Sequence, residues 1–142
     1  MRLGRYPDSV KQRLAGERPV WIHAVSVGET IAAKPLVRAI NAAHPRIPLV
    51  LSTVTPTGFA VASTLAGEQG VAVFAPLDFR LTVSRAFRTI RPRLLVLVES
   101  ELWPNLIRLA GRAGTPVVVV NGRVSERAFR RFTAEIAAWW PL

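Results

Sequence analysis

The chain has 142 residues, 50% of them hydrophobic and 20% charged, which is enough apolar material for one domain with a packed core. It carries a net charge of +10 from 19 bases against 9 acids, and it has no cysteine, which excludes a disulfide framework and a thiolate metal site. The aliphatic runs at 94–98 and 117–120 fall far short of the ~20 residues a bilayer span needs, and residues 1–5 lead into no signal-peptide apolar region, so a soluble or peripheral chain is expected.

Residues 1–18 are polar and charged, and a short helix or an extended lead-in is expected there. From residue 19 onward apolar runs alternate with amphipathic stretches. The pattern predicts strands over 20–25, 48–54, 71–75, 93–98 and 116–120, and helices over 28–43, 57–66, 79–90, 102–113 and 125–138. Five strand-then-helix units predict an α/β domain with a parallel sheet and helices on both faces. The run Val117-Val118-Val119-Val120 shows no polar alternation, as a strand covered on both faces requires. Pro35 falls inside the first predicted helix, where it removes a backbone bond and should kink it. No internal repeat, low-complexity tract or second domain is visible.

Open parallel sheets hold ligands outside the carboxyl ends of their strands. Four polar segments lie there: Ser26-Val27-Gly28-Glu29, Thr55-Pro56-Thr57-Gly58, Glu99-Ser100-Glu101-Leu102-Trp103-Pro104-Asn105 and Asn121-Gly122-Arg123. On residue types alone Ser26 and Glu29 fit a capping box, with Glu29 reaching back to the Ser26 amide. Glu99 and Glu101 read either as a solvated pair at a loop tip or as acids facing the ligand. Thr55, Thr57 and Gly58 suit turn and cap chemistry as well as phosphate or sugar hydroxyls. Arg123 on the same edge could hold a phosphate. His23 reads as a hydrogen-bonded core histidine, His44 as structural, and Trp103 as core or wall. The histidines and carboxylates have no metal-ligand spacing, and neither dinucleotide nor P-loop fingerprints occur.

Only Lys11 and Lys34 among the bases are lysine. Arginine grips phosphate bidentately, so a positive field of this kind draws a chain towards anionic headgroups or nucleic acid. A solvated arginine-rich surface is the plainer alternative. A basic nucleic-acid-binding module is disfavoured because the bases are scattered and no binding motif appears. A non-catalytic domain for an anionic membrane is the other alternative.

Taken together, Trp21 to Glu29, Thr53-Val54-Thr55-Pro56-Thr57-Gly58, Glu99 to Asn105 and Asn121-Gly122-Arg123-Val124-Ser125-Glu126 resemble the N-terminal half of the bacterial 3-deoxy-D-manno-octulosonic acid (Kdo) transferases, from about Gly4 to Phe132. The resemblance implies a Rossmann-like sheet, the N-terminal half of a GT-B glycosyltransferase. Residues 19–142 would be the acceptor-binding domain behind a polar lead-in, with the C-terminal nucleotide-sugar domain and the family's membrane anchor outside these residues. It implies inverting transfer of Kdo from CMP-Kdo to the lipid A precursor lipid IVA, without cofactor or metal, at the cytoplasmic face of the bacterial inner membrane. The partners implied are the donor, the acceptor and an anionic membrane surface, not nucleic acid. Glu29 takes the role of general base and Glu99 that of transition-state stabiliser. Ser26, Gly28, Thr55, Thr57, Gly58, Glu101, Asn121 and Arg123 become substrate-binding candidates. With the donor held elsewhere, this segment is expected not to turn over alone.

Overall fold

The computed structural model describes residues 1–68, 70–99 and 103–122. Five strands, β1 (Val20–His23), β2 (Leu49–Thr53), β3 (Val71–Phe74), β4 (Leu94–Val98) and β5 (Val117–Val120), pair in parallel in the order β3-β2-β1-β4-β5. Helix α1 (Asp8–Arg13) precedes β1. Helices α2 (Val27–Ala32) and α3 (Lys34–Ala43) join β1 to β2, α4 (Pro56–Ala66) joins β2 to β3, α5 (Arg80–Ile90) joins β3 to β4, and α6 (Pro104–Arg112) joins β4 to β5. This is the Rossmann-like α/β architecture expected, and the strand order reverses direction between β1 and β4. The helix predicted over 125–138 lies outside the described residues.

Side chains of a strand alternate between the two faces of its sheet. Trp21, Val50, Val73, Leu95 and Leu97 therefore meet Val83, Phe87 and Ile90 of α5 and Leu106 and Ala110 of α6 on one face. Val20, Ile22, Leu49, Leu51, Val96 and Val98 meet Ala33, Val37, Ala62 and Ala66 on the other. Both faces of β1, β2 and β4 are covered, which is why these strands are apolar nearly throughout. Strand β5 departs from the expectation. Val118 and Val119 are 43% and 46% exposed at the sheet edge, so its run of valines does not mark a strand covered on both faces by the described residues.

One other expectation is corrected. The stretch predicted as one kinked helix is two helices meeting at Ala33, and Pro35 stands in the first turn of the second. A proline there gives up an amide that would have had no partner within the helix, so it starts a helix instead of bending one. The N-terminal residues hold the short helix expected there, α1, and three of them also belong to the core. Tyr6, Val10 and Leu14, spaced by four, are all buried and pack with Trp21 and Phe87. Their polar neighbours face solvent.

The Tyr6 hydroxyl is buried with no hydrogen-bond partner among the described residues, and burial raises its pKa well above the ordinary tyrosine value. Removing the ring by Tyr6→Ala should cost about 3–5 kcal/mol, as for other buried aromatics. Removing only the unpaired hydroxyl by Tyr6→Phe should be neutral or stabilising by about 1 kcal/mol. Urea denaturation measures both. A Phe variant as damaged as the Ala variant would refute the packing assignment.

Candidate active site

The reversal between β1 and β4 marks the part of the carboxyl edge where doubly wound sheets hold ligands. Because β2, β1, β4 and β5 are consecutive in the sheet, the segments after these four strands stand in a row along one edge. Glu29 and Glu99 follow the two strands that flank the reversal.

Glu29 is 7% exposed in the first turn of α2. Its Oε2 accepts the Val25 amide at 2.6 Å, and its Oε1 accepts the Ser26 hydroxyl at 3.0 Å. Ser26 Oγ in turn accepts the Glu29 amide at 3.3 Å, capping the helix. The capping box is therefore present, except that the carboxylate reaches one residue past the expected Ser26 amide. The loop beneath is pinned to β2, since Val25 O accepts both the Val54 amide and the Thr53 hydroxyl. Each carboxylate oxygen has two lone-pair sites, so these two donors leave acceptor capacity for a ligand proton.

Glu99 is half-buried and has φ +62°, and its amide donates to Val120 O at 2.8 Å. Asn121, at the end of β5, has φ +54°. Left-handed backbone is uncommon for residues other than glycine, and two such residues at neighbouring strand ends mark this edge. A Cβ on Gly122 would lie 3.2 Å from Val119 Cγ1 and 4.0 Å from Glu99 O, so the turns after β4 and β5 abut. Glu101 and Arg123 lie outside the described residues.

Thr55 caps α4 by accepting the Gly58 amide at 3.0 Å, and Thr57 is exposed in the first turn. The two candidate glycines differ in kind. At Gly58 a Cβ would stand 2.5 Å from Thr53 Oγ1 and 2.8 Å from Thr55 Oγ1, so internal packing demands glycine. At Gly28 a Cβ would meet only Ser26 Oγ, at 3.9 Å, on an exposed turn. The space over Gly28 opens outward, where a ligand could approach the backbone.

Sequence reasoning placed His23 in the core without its full setting. Trp21 Nε1 donates to Ser52 Oγ at 2.7 Å, and Ser52 Oγ lies 2.9 Å from His23 Nδ1. His23 Nε2 is buried with no hydrogen-bond partner among the described residues, and the ring meets Trp103 edge-on at 4.6 Å between centroids. Burial pulls the imidazole down to about 4, against an opposing hydrogen bond with Ser52. Trp103 is half-buried against the core, as a wall residue. Asp78 was also missed: its carboxylate accepts the amides of Asn105 and Leu106 at 3.0 and 2.9 Å and so caps α6 from 27 residues away. An aspartate in the loop before α5 was the only signal for it.

Among the described residues no group of three His, Cys, Asp or Glu side chains converges to hold a metal ion.

A parallel sheet that reverses between two strand ends, each followed by a glutamate, defines a Rossmann-like domain whose ligand edge runs across β1 and β4. The sequence model of the 3-deoxy-D-manno-octulosonic-acid transferase (kdotransferase) family matches residues 1–140, and the chain belongs to that family. It is 37% identical over 113 residues to the 3-deoxy-D-manno-octulosonic acid transferase of Haemophilus influenzae, covering 80% of this chain and 26% of that protein. To the transferase of the same name from Bordetella pertussis it is 38% identical over 135 residues, covering 92% and 31%. A probable mitochondrial 3-deoxy-D-manno-octulosonic acid transferase of Arabidopsis thaliana is 33% identical over 135 residues, covering 93% and 30%. The chain thus spans less than a third of the length of these relatives.

Two measurements test the geometry. Gly58→Ala should destabilise by about 1–3 kcal/mol through overpacking, whereas Gly28→Ala should leave stability unchanged or raise it by up to about 1 kcal/mol. Equal losses in thermal melting would contradict the contrast. The second concerns pH. His23 titrates at about 4 when folded against 6.5 ordinarily, so the unfolded chain takes up the proton first as pH falls. Stability should hold above pH ~6.5 and drop by about 3 kcal/mol on the way to pH ~4. His23→Phe should flatten that part of a stability-versus-pH curve, and an unchanged slope would assign it to other groups.

Proposed function

We propose that this domain is the acceptor side of an inverting GT-B glycosyltransferase that moves Kdo from CMP-Kdo to lipid IVA, at the cytoplasmic face of the inner membrane. The observation that carries the reading is the position of Glu29 and Glu99 after the two strands flanking the reversal, in a chain of this family. A hydroxyl of the acceptor sugar is a poor nucleophile at neutral pH, and a positioned base contributes about 10²–10⁴-fold. Glu29 accepts that proton as the oxygen attacks the anomeric carbon of Kdo. The bond to CMP breaks on the opposite side, and configuration inverts. Glu99 carries negative charge towards the positive charge that develops on the sugar ring. Gly28 leaves room for the acceptor at the α2 turn, with Thr57 and Asn121 along the same edge as further contacts. Glu101 and Arg123 are proposed for the acceptor's polar groups on their sequence positions alone. The donor nucleotide is held mainly by a second domain, beyond the part of the family's length matched here.

No helix among the described residues is long and apolar enough to cross a membrane. We assign contact with the bilayer to surface charge and apolar side chains, in keeping with the net charge of +10.

The test is Glu29→Gln in the intact protein. Gln keeps the shape and one acceptor oxygen but cannot take the proton, so transfer should fall about 10²–10⁴-fold while acceptor binding persists. A variant that lost thermal stability yet kept its turnover per folded molecule would leave Glu29 as a cap alone.

A further inference from the structure

Between α5 and α6 lies a cavity of about 60 Å³ lined by Arg80, Asn105, Arg108, Leu109 and Arg112. A water needs roughly 10–15 Å³ of such space, so a few oxygen-sized groups fit, the scale of a phosphate. Arg80 opens α5 and Asn105 stands in the first turn of α6, so the amino ends of two helices contribute partial positive charge beside it. Arg108 and Arg112 are one turn apart on α6 and share a face. No acid lines the cavity, and among the described residues the one ion pair is Lys11 with Asp8. Asp78 is the nearby acid, and its carboxylate is engaged by the α6 amides. Three guanidinium groups against one carboxylate leave an unneutralised positive pocket.

Beside it the surface is apolar. Leu77, Phe79 and Leu81 bracket Arg80 and are 39%, 65% and 58% exposed. Leu3, 56% exposed, and Met1, 38% exposed, lie next to them, because the Leu77 amide donates to Arg2 O at 2.8 Å. Gly4, at φ +71°, sits so close to α5 that a Cβ would overlap Thr82 O. Single exposed apolar side chains are ordinary, but a contiguous group marks an interaction surface.

We propose that this cavity binds the phosphate of an anionic lipid, with the adjoining apolar residues entering the acyl region. A soluble phosphate would use the arginines and leave the apolar group unexplained, whereas a lipid uses both. The guanidinium fork grips phosphate and carboxylate alike, but a phosphate monoester offers three acceptor oxygens and so can engage more than one arginine at once. Of the lining residues only Asn105 belongs to the Glu99–Asn105 segment of the carboxyl edge, and neither Glu29 nor Glu99 lines the cavity. It deepens the proposed reaction by supplying the contact that holds the protein on the membrane carrying the acceptor.

The test is co-sedimentation of the intact protein with phosphatidylcholine vesicles containing either phosphatidic acid or, at equal surface charge, oleate. The protein should prefer phosphatidic acid, and Arg108→Ala with Arg112→Ala should weaken that binding about tenfold more than it weakens binding to oleate, whose loss reflects charge alone. Phe79→Ser should weaken both. Equal binding to the two vesicles, or a double variant that binds phosphatidic acid as the parent does, would overturn the site. Complete displacement from vesicles by inorganic phosphate would reassign it to the free ion. Transfer by the parent protein to acceptor dispersed in detergent checks the reaction separately: its absence would remove that reading and leave the vesicle result standing.

Discussion

Strand β1 is buried along its whole length, paired on one side with β2 and on the other with β4, and covered by helices on both faces. An ionised side chain within it would need a buried partner, at a desolvation cost of several kcal/mol. His23, the polar residue that closes the strand, stays neutral for that reason. Acid chemistry in this fold is therefore displaced past the strand end. The chain there must turn, begin a helix and satisfy the free amides of that helix, and a carboxylate in the first turn suits both the amides and the dipole. The residue best placed to stabilise the turn thus also follows one of the two strands that flank the reversal.

That coincidence puts the observed cap and the proposed general base on one residue, and magnitudes separate the two. A helix cap is worth about 1 kcal/mol. General-base catalysis of about 10²–10⁴-fold is worth about 3–5 kcal/mol of barrier. A stability loss of the size of a cap leaves a protein of ordinary stability almost wholly folded, so it cannot imitate a hundredfold loss of rate per molecule. Holding the loop is therefore compatible with the proposed proton transfer, since the Val25 amide and the Ser26 hydroxyl each use one lone-pair site of an oxygen that has two.

The strands were legible because continuous aliphatic runs such as 94–98 have one reading in an alternating α/β pattern, and their ends then located Glu29 and Glu99. What failed was local detail governed by distant contacts. Nothing at Ala33 announces a helix boundary, since the apolar period continues through it and Pro35 is as compatible with a start as with a kink. The polar composition of residues 1–18 hid the spacing of Tyr6, Val10 and Leu14, whose burial depends on α5 and Trp21. The bare valines of β5 were read as buried because periodicity reports apolar character, not whether a neighbouring layer is present. His23 was rightly put in the core, but its hydrogen-bonded and unpaired nitrogens depend on Ser52 and Trp103, far along the chain. The capping of α6 by Asp78 is likewise non-local. The roles proposed for Glu29 and Glu99 rest on the family resemblance, because a capping box and a polar loop tip have the same spelling as a catalytic pair would.

The left-handed conformations of Glu99 and Asn121 belong to the same logic. Each costs about 1–3 kcal/mol when imposed on a residue with a Cβ, and glycine would have avoided that cost at either position. The strain is sustained by the ladder beneath it: the Glu99 amide extends the β4–β5 pairing by one more bond to Val120 O before the chain leaves the sheet. A residue with φ above zero turns the backbone abruptly, so the strand stops at the sheet edge without a gradual loop. Glycine would make that turn without strain but would bring no carboxylate. The glutamate combines a sharp exit from β4 with a charged group held at the reversal, and the neighbouring Asn121-Gly122 turn packs against its carbonyl side. Backbone strain here accompanies a polar group kept at the ligand edge, where packing alone would have favoured a smaller and less costly residue.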